Sequence, residues 1–180
     1  ISALALAALA ASAEPAPAPP PGASMEDLQG VYLACDRAAT RTVLENLPRD
    51  LVLEQEPTAV ARLVAAIVGL QERQLVRVFE VPEPVGPWTT VLVYLPRNRF
   101  TAELPERIAD AVATAYGADR RTFEPYLGAS SLARIAVSVR RPGGVEPVDL
   151  EAIERLVDEL STSWSDRLRA ALVADVGEEE

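Results

Sequence analysis

Leu75-Val76-Arg77-Val78-Phe79-Glu80-Val81, then Pro82-Glu83-Pro84-Val85-Gly86-Pro87, then Thr89-Thr90-Val91-Leu92-Val93-Tyr94-Leu95 is the stretch that decides the fold. The outer runs are rich in β-branched and aromatic residues, and the first alternates apolar with polar positions in its second half. The middle segment holds three prolines and a glycine, which makes it a turn. The local reading is a β-hairpin.

Working upstream, Leu51-Val52-Leu53 reads as a brief strand. Pro57-Thr58 opens a helix whose apolar stripe is Val60, Leu63, Val64, Ile67, Val68 and Leu70. Downstream, Thr101 is placed to cap a helix that runs to Tyr116, with Leu104, Ile108, Val112 and Tyr116 at four-residue spacing. Pro105 falls in its first turn, and Gly117 supplies a left-handed stop. Two more strands follow, Arg121 to Leu127 and Leu132 to Arg140, the second with Ile135, Val137 and Val139 turned to the core.

From Leu51 to Leu127 the order is therefore βαββαβ. This is the ferredoxin-like pattern of the α+β class, an antiparallel sheet with helices on one face. Leu132–Arg140 adds an extra strand, and Asp149 caps a long C-terminal helix that runs to about Ala174. The pattern hosts many functions and settles none of them.

The flanks divide the chain further. Residues 1–24 are an Ala/Leu run followed by a Pro/Ala run, read as a low-complexity linker. Ala11-Ser12-Ala13 also fits the end of a truncated secretory signal. The alternative to an internal segment of a longer cytoplasmic polypeptide is thus a free-standing, exported small-ligand-binding α+β domain. Residues 25–47 form a helical lead-in from Glu26 to about Asn46, residues 48–174 the main α+β domain, and residues 175–180 an acidic tail.

Composition excludes much chemistry. All 17 basic residues among the 180 are arginine; there is no lysine and no histidine. A Schiff-base or P-loop lysine, a Ser/His or Cys/His nucleophile pair and a His-ligated metal each need a residue that is missing. A formal net charge of -10 argues against nucleic acid or an anionic membrane surface as partner. The single Cys35 has no internal partner and no neighbouring Lys or His to activate it, so it reads as a small buried hydrophobe. No residue is assigned as catalytic, cofactor-binding or metal-ligating.

The densest polar cluster is Pro96-Arg97-Asn98-Arg99-Phe100-Thr101, between a core strand and a helix start. Arg97, Asn98, Arg99 and Thr101 are the candidate effector or interdomain contact. An anion at the bend would find backbone N–H groups, a helix dipole and a guanidinium fork. The competing reading is that Arg97 and Arg99 pair with local carboxylates such as Glu103 or Glu106 and only shape the turn. Glu151, Glu154, Asp158 and Glu159 on the last helix read as a solvated face.

Three blocks, Gly69–Phe79, Val91–Thr101 and Ser131–Arg140, resemble successive segments of one family in its order and at suitable spacing. It is the very large bacterial NAD-specific glutamate dehydrogenases, in the ACT-like region that precedes the catalytic core. Leu47-Pro48-Arg49-Asp50 resembles the family's Pro-Arg-Asp segment, and Trp164-Ser165-Asp166-Arg167-Leu168 with Gly177-Glu178-Glu179 resembles its Trp-x-Asp segment and acidic follow-on. The likeness covers about residues 45–180. Asn98 stands where the family commonly has Asp, and the Val81–Trp88 turn departs from its polar turn.

The resemblance implies an ACT-like fold for residues 48–174 and a parent enzyme that oxidises L-glutamate to 2-oxoglutarate with NAD as cofactor. The parent's catalytic lysines find no counterpart here. The resemblance also implies cytoplasmic localisation, the catalytic domain of the same polypeptide as partner, a homo-oligomer through the parent, and an amino-acid effector. Regulation or assembly would then belong to this segment and chemistry to the rest.

Overall fold

The computed structural model describes residues 37–70, 73–84, 86–141 and 147–162. The 1–24 linker, Cys35, the first part of the lead-in helix, Gly143-Gly144, Trp164 and the 175–180 tail lie outside them. The chain divides into two compact units, one ending at Gln71 and the other beginning at Glu72.

The first unit holds three helices among its described residues: α1 (Arg37–Asn46), α2 (Arg49–Glu54) and α3 (Pro57–Val68). Helix α3 starts on proline, where the missing N–H is not needed, and buries Val60, Ala61, Val64 and Ile67 on one face. Helix α1 packs against it. The expected strand Leu51-Val52-Leu53 is instead the body of α2. A short apolar run carries no period of its own, and here the flanks decide: Pro48 precedes the first helical residue and Asp50 favours the first turn. Leu51 is 7% exposed and Leu53 81%, as helical geometry requires for residues two apart.

The second unit carries the sheet: β1 (Arg77–Pro82), β2 (Trp88–Pro96), β3 (Arg120–Tyr126) and β4 (Leu132–Arg140), in the order β1-β2-β4-β3. Every adjacent pair is antiparallel. Helix α4 (Leu104–Ala115) follows β2, and α5 (Leu150–Ser161) follows β4. With the leading strand replaced by a helix, the order is ββαββα rather than βαββαβ, and Leu132–Arg140 becomes a central member of the sheet rather than an addition to it. The split β-α-β unit survives as β2–α4–β3: both strands are antiparallel to β4, so they run the same way with β4 between them.

Both helices lie on one sheet face. Val78, Val91, Val93, Leu95, Ile135, Val137 and Val139 meet Ile108, Ala109, Val112 and Tyr116 of α4 and Ile153 and Val157 of α5 in one cluster. Each fully buried Ile or Val there contributes about 1.5–3 kcal/mol. The expected half-burial of β4 is exceeded: Leu132, Arg134 and Ala136 on its other side are buried as well.

Two helix ends differ from expectation. Thr101 does not cap α4; Glu103 occupies the cap position, without a side-chain cap bond, and α4 begins at Leu104. A cap at Thr101 would make Pro105 the first residue required to donate an intrahelical hydrogen bond, which proline cannot do. The later start keeps Pro105 in the first turn. Helix α5 stops at Ser161, with Thr162 extended, instead of running on unbroken to Ala174. The Ser161 and Thr162 hydroxyls both donate to the Asp158 carbonyl, at 3.1 and 2.6 Å, and so close the helix. Gly117, at φ 58°, is the expected left-handed stop of α4.

Candidate functional site

The Pro96–Thr101 bend leaves the end of β2 as a single 3-10 turn, Arg97–Arg99. Its first N–H, on Arg97, donates to the Ser131 carbonyl at 2.8 Å, and the Arg97 Nη1 donates to the Gly128 carbonyl at 2.6 Å. One residue thus holds the β3–β4 loop from both its backbone and its side chain. The Arg99 Nη1 reaches the Asp158 Oδ1 on α5, also at 2.6 Å. The local partners expected for these arginines, Glu103 and Glu106, are not the ones used. Asn98 and Thr101 are exposed.

The bend is therefore a junction of three elements, the end of β2, the β3–β4 loop and α5. Each of its guanidinium groups commits an Nη1 to those contacts. Gly128 also leaves room for a neighbouring ring: a Cβ there would lie 2.8 Å from the Tyr126 ring and push it aside. In the same loop, the Ser130 hydroxyl accepts the Leu132 N–H at 3.1 Å.

Tyr126 leads to a second cluster that sequence reasoning missed. Arg77, Tyr94, Arg134 and Tyr126 occupy one rung across all four strands, alternating cation and aromatic ring. The Arg134 guanidinium lies 5.0 Å from the centre of the Tyr126 ring and 3.9 Å from a Glu124 carboxylate oxygen. Arg134 is only 4% exposed, and burial draws its pKa below the ordinary arginine value. Burial also pushes the Tyr94 phenol up to about 12, with the Arg134 charge pulling the other way. Phe79 meets the Tyr94 ring edge to face at 5.9 Å. The period-two alternation of β4 assigns Arg134 to the side away from the core, but only strand order and register reveal the tyrosine on either side of it.

A third buried pair sits at the other end of β4. Arg141 is stacked 5.1 Å from the centre of the Tyr116 ring, and both residues are buried. Burial raises the Tyr116 pKa, and neighbouring Glu80 raises it further. Further cross-element ion pairs among the described residues fasten helices and loops to the sheet: Arg77 to Glu154 at 2.7 Å, Arg121 to Asp110 at 2.6 Å and to Glu106 at 3.9 Å, and Arg140 to Asp119. Among the described residues no group of His, Cys, Asp and Glu could hold a metal ion, and no helix is long and apolar enough to cross a membrane.

Residues 77–165 match the family described as glutamate dehydrogenase, ACT2 domain. The match begins at the first residue of β1 and extends past the end of α5. The NAD-specific glutamate dehydrogenase of Halomonas elongata is 32% identical over 139 residues, which is 76% of this chain and 9% of that protein. The enzyme of the same name from Pseudomonas aeruginosa is 30% identical over 137 residues, 76% of this chain and 8% of that protein. The one from Mycobacterium tuberculosis is 24% identical over 145 residues, 73% of this chain and 9% of that protein. The chain thus spans about a tenth or less of the length of these curated relatives. With the α+β sheet spanning the matched residues, the chain belongs, through residues 77–165, to the ACT2 domain family of glutamate dehydrogenases.

Proposed function

We propose that the chain is a non-catalytic regulatory and assembly segment of an NAD-dependent glutamate dehydrogenase. In this reading oxidative deamination of L-glutamate to 2-oxoglutarate takes place elsewhere in the same cytoplasmic polypeptide, where NAD binds. The observation that carries the proposal is the ACT2 match over 77–165, together with relatives that share the name NAD-specific glutamate dehydrogenase. The composition supports it: a segment without lysine or histidine offers little for acid–base or covalent chemistry on an amino acid. So does the use of its arginines, which bind strands, loops and helices to one another.

The Arg97–Thr101 bend is the contact we assign to regulation. Arg97 and Arg99 are committed to the loop and to α5, while Asn98 and Thr101 face outward, open to the catalytic domain, to another protomer or to a free amino acid. The 180-residue chain assayed alone with L-glutamate and NAD should form no NADH. In titration calorimetry with a panel of free amino acids, heat that disappears in Asn98→Ala/Thr101→Ala marks an effector site at the bend. Turnover by the isolated chain would sink the non-catalytic reading; the absence of heat with every amino acid would remove the effector and leave assembly.

A further inference from the structure

Strand β1 is an edge of the sheet, and edges need protection from pairing with other strands. Antiparallel partners alternate between bonded and non-bonded pairs. The Glu83 N–H donates to the Trp88 carbonyl at 3.1 Å, so Arg77, Phe79 and Val81 are the β1 residues bonded to β2 and Val78 turns its N–H to the open side. That N–H is taken by the Glu154 Oε1 of α5 at 3.0 Å, while the Oε2 of the same carboxylate accepts from Arg77 Nη1 at 2.7 Å. One helical turn later, Asp158 takes Arg99.

Helix α5 otherwise rests on a narrow apolar stripe, Ile153 and Val157 in the core with Leu150 and Leu160 partly buried against it. Its ends are closed within the helix, by Asp149 accepting the Ala152 N–H at 3.0 Å and by the two hydroxyls on the Asp158 carbonyl, so its release leaves no cap bond to the sheet broken. The two arginine clamps lie at one end of the sheet, on the first residue of β1 and on the turn that follows β2.

We propose that α5 is a releasable latch: it opens as a unit ahead of the sheet, and its opening bares the outward N–H of Val78 on β1. The clamps Glu154–Arg77 and Asp158–Arg99 set how often it opens. Because the Arg99 clamp belongs to the bend that also grips the β3–β4 loop, whatever pulls on the bend changes the opening of the helix. The latch follows from the packing of the second unit alone and holds whatever the parent enzyme catalyses.

Native-state hydrogen exchange on the full 180-residue chain, read by NMR over a series of low denaturant concentrations, tests it. The Val78 amide should exchange with those of Ile153–Leu160, by an opening more frequent than the one that exposes Val93 and Ile135. In Glu154→Gln and in Arg99→Gln, α5 should exchange about 3- to 10-fold faster, and because the clamps are also lost when the sheet opens, Val93 and Ile135 should quicken by no more than the same factor and stay slower than α5. Val78 should follow α5 in Arg99→Gln, although Arg99 does not touch it. Raising the salt should speed α5 in the parent chain and have less effect in the double variant. If Val78 and α5 exchange only with the β2 and β4 amides, the second unit opens as one body and the latch is overturned by the parent chain alone. Exchange of Val78 apart from α5 would overturn it equally.

Discussion

Tyr94 and Arg134 stand directly opposite each other on the β2–β4 ladder, a phenol beside a nearly buried guanidinium. The pair lies on the side of the sheet away from the core cluster, and burial shifts both groups towards their neutral forms.

Alkaline stability follows from this pair. The folded Tyr94 phenol titrates near 12 against an ordinary value of 10, so folding favours its protonated form. Its contribution is complete below pH 10, falls as the unfolded chain ionises, and is lost as the pH rises through about 12. A two-unit shift bounds the effect at roughly 2–3 kcal/mol. Urea unfolding between pH 8 and 11.5 should show a stability decline that is shallower in Tyr94→Phe. Tyr116, raised in the same direction by burial and by Glu80, should add to the parent slope, and Tyr94→Phe/Tyr116→Phe should be flatter still.

At Gly128, an added Cβ would meet the Tyr126 ring at 2.8 Å. The ring cannot swing away without leaving Arg134. Gly128→Ala should cost about 1–2 kcal/mol through a lost cation–π contact and a displaced loop carbonyl. In a Tyr126→Ala background the same substitution should cost much less. Additive costs in this double-mutant cycle would show that the ring is not what the methyl group strikes.

Acid should act on the Arg140–Asp119 pair, which joins the end of β4 to the loop before β3. The hydrogen bond from Arg140 holds the Asp119 carboxyl below the ordinary aspartate value of 3.8. A depressed carboxylate stabilises the fold above its unfolded pKa, and the contribution is lost as the pH falls through the folded value. Carbon NMR titration of the Asp119 carboxyl should give a midpoint below 3.8, and Arg140→Gln should move it upward. A midpoint unmoved by that substitution would remove the pair as the cause.

The hairpin, the bounds of β4, the α3 stripe and the Gly117 stop were all legible because each rests on local chemistry: β-branched runs, prolines, a 3.6-residue period, a positive φ. What eluded the sequence was decided at a distance. Arg97 and Arg99 invited local carboxylate partners, yet register brought Gly128 and fold topology brought Asp158. Arg134 belongs by alternation to the outer side of β4, but strand order put a tyrosine on each side of it. The α4 cap failed for a subtler reason, since Thr101 is a good cap and Pro105 a good first-turn residue only when they are not four positions apart.

The segment most open to misreading, Leu51-Val52-Leu53, also gives the sharpest test of its structure. In a strand, residues two apart share a face, so Leu51 and Leu53 would be buried or exposed together. In α2 they point roughly 200° apart, and the observed exposures of 7% and 81% differ accordingly. Leu51→Ala should therefore cost about 2–3 kcal/mol, toward the low end for a buried leucine on a short helix. Leu53→Ala should stay within about 0.5 kcal/mol, as an exposed substitution does. Hydrogen-exchange protection of α3, in the same compact unit, reads both changes. Comparable losses at the two positions would restore the strand, whereas a large loss at Leu51 alone requires the helix.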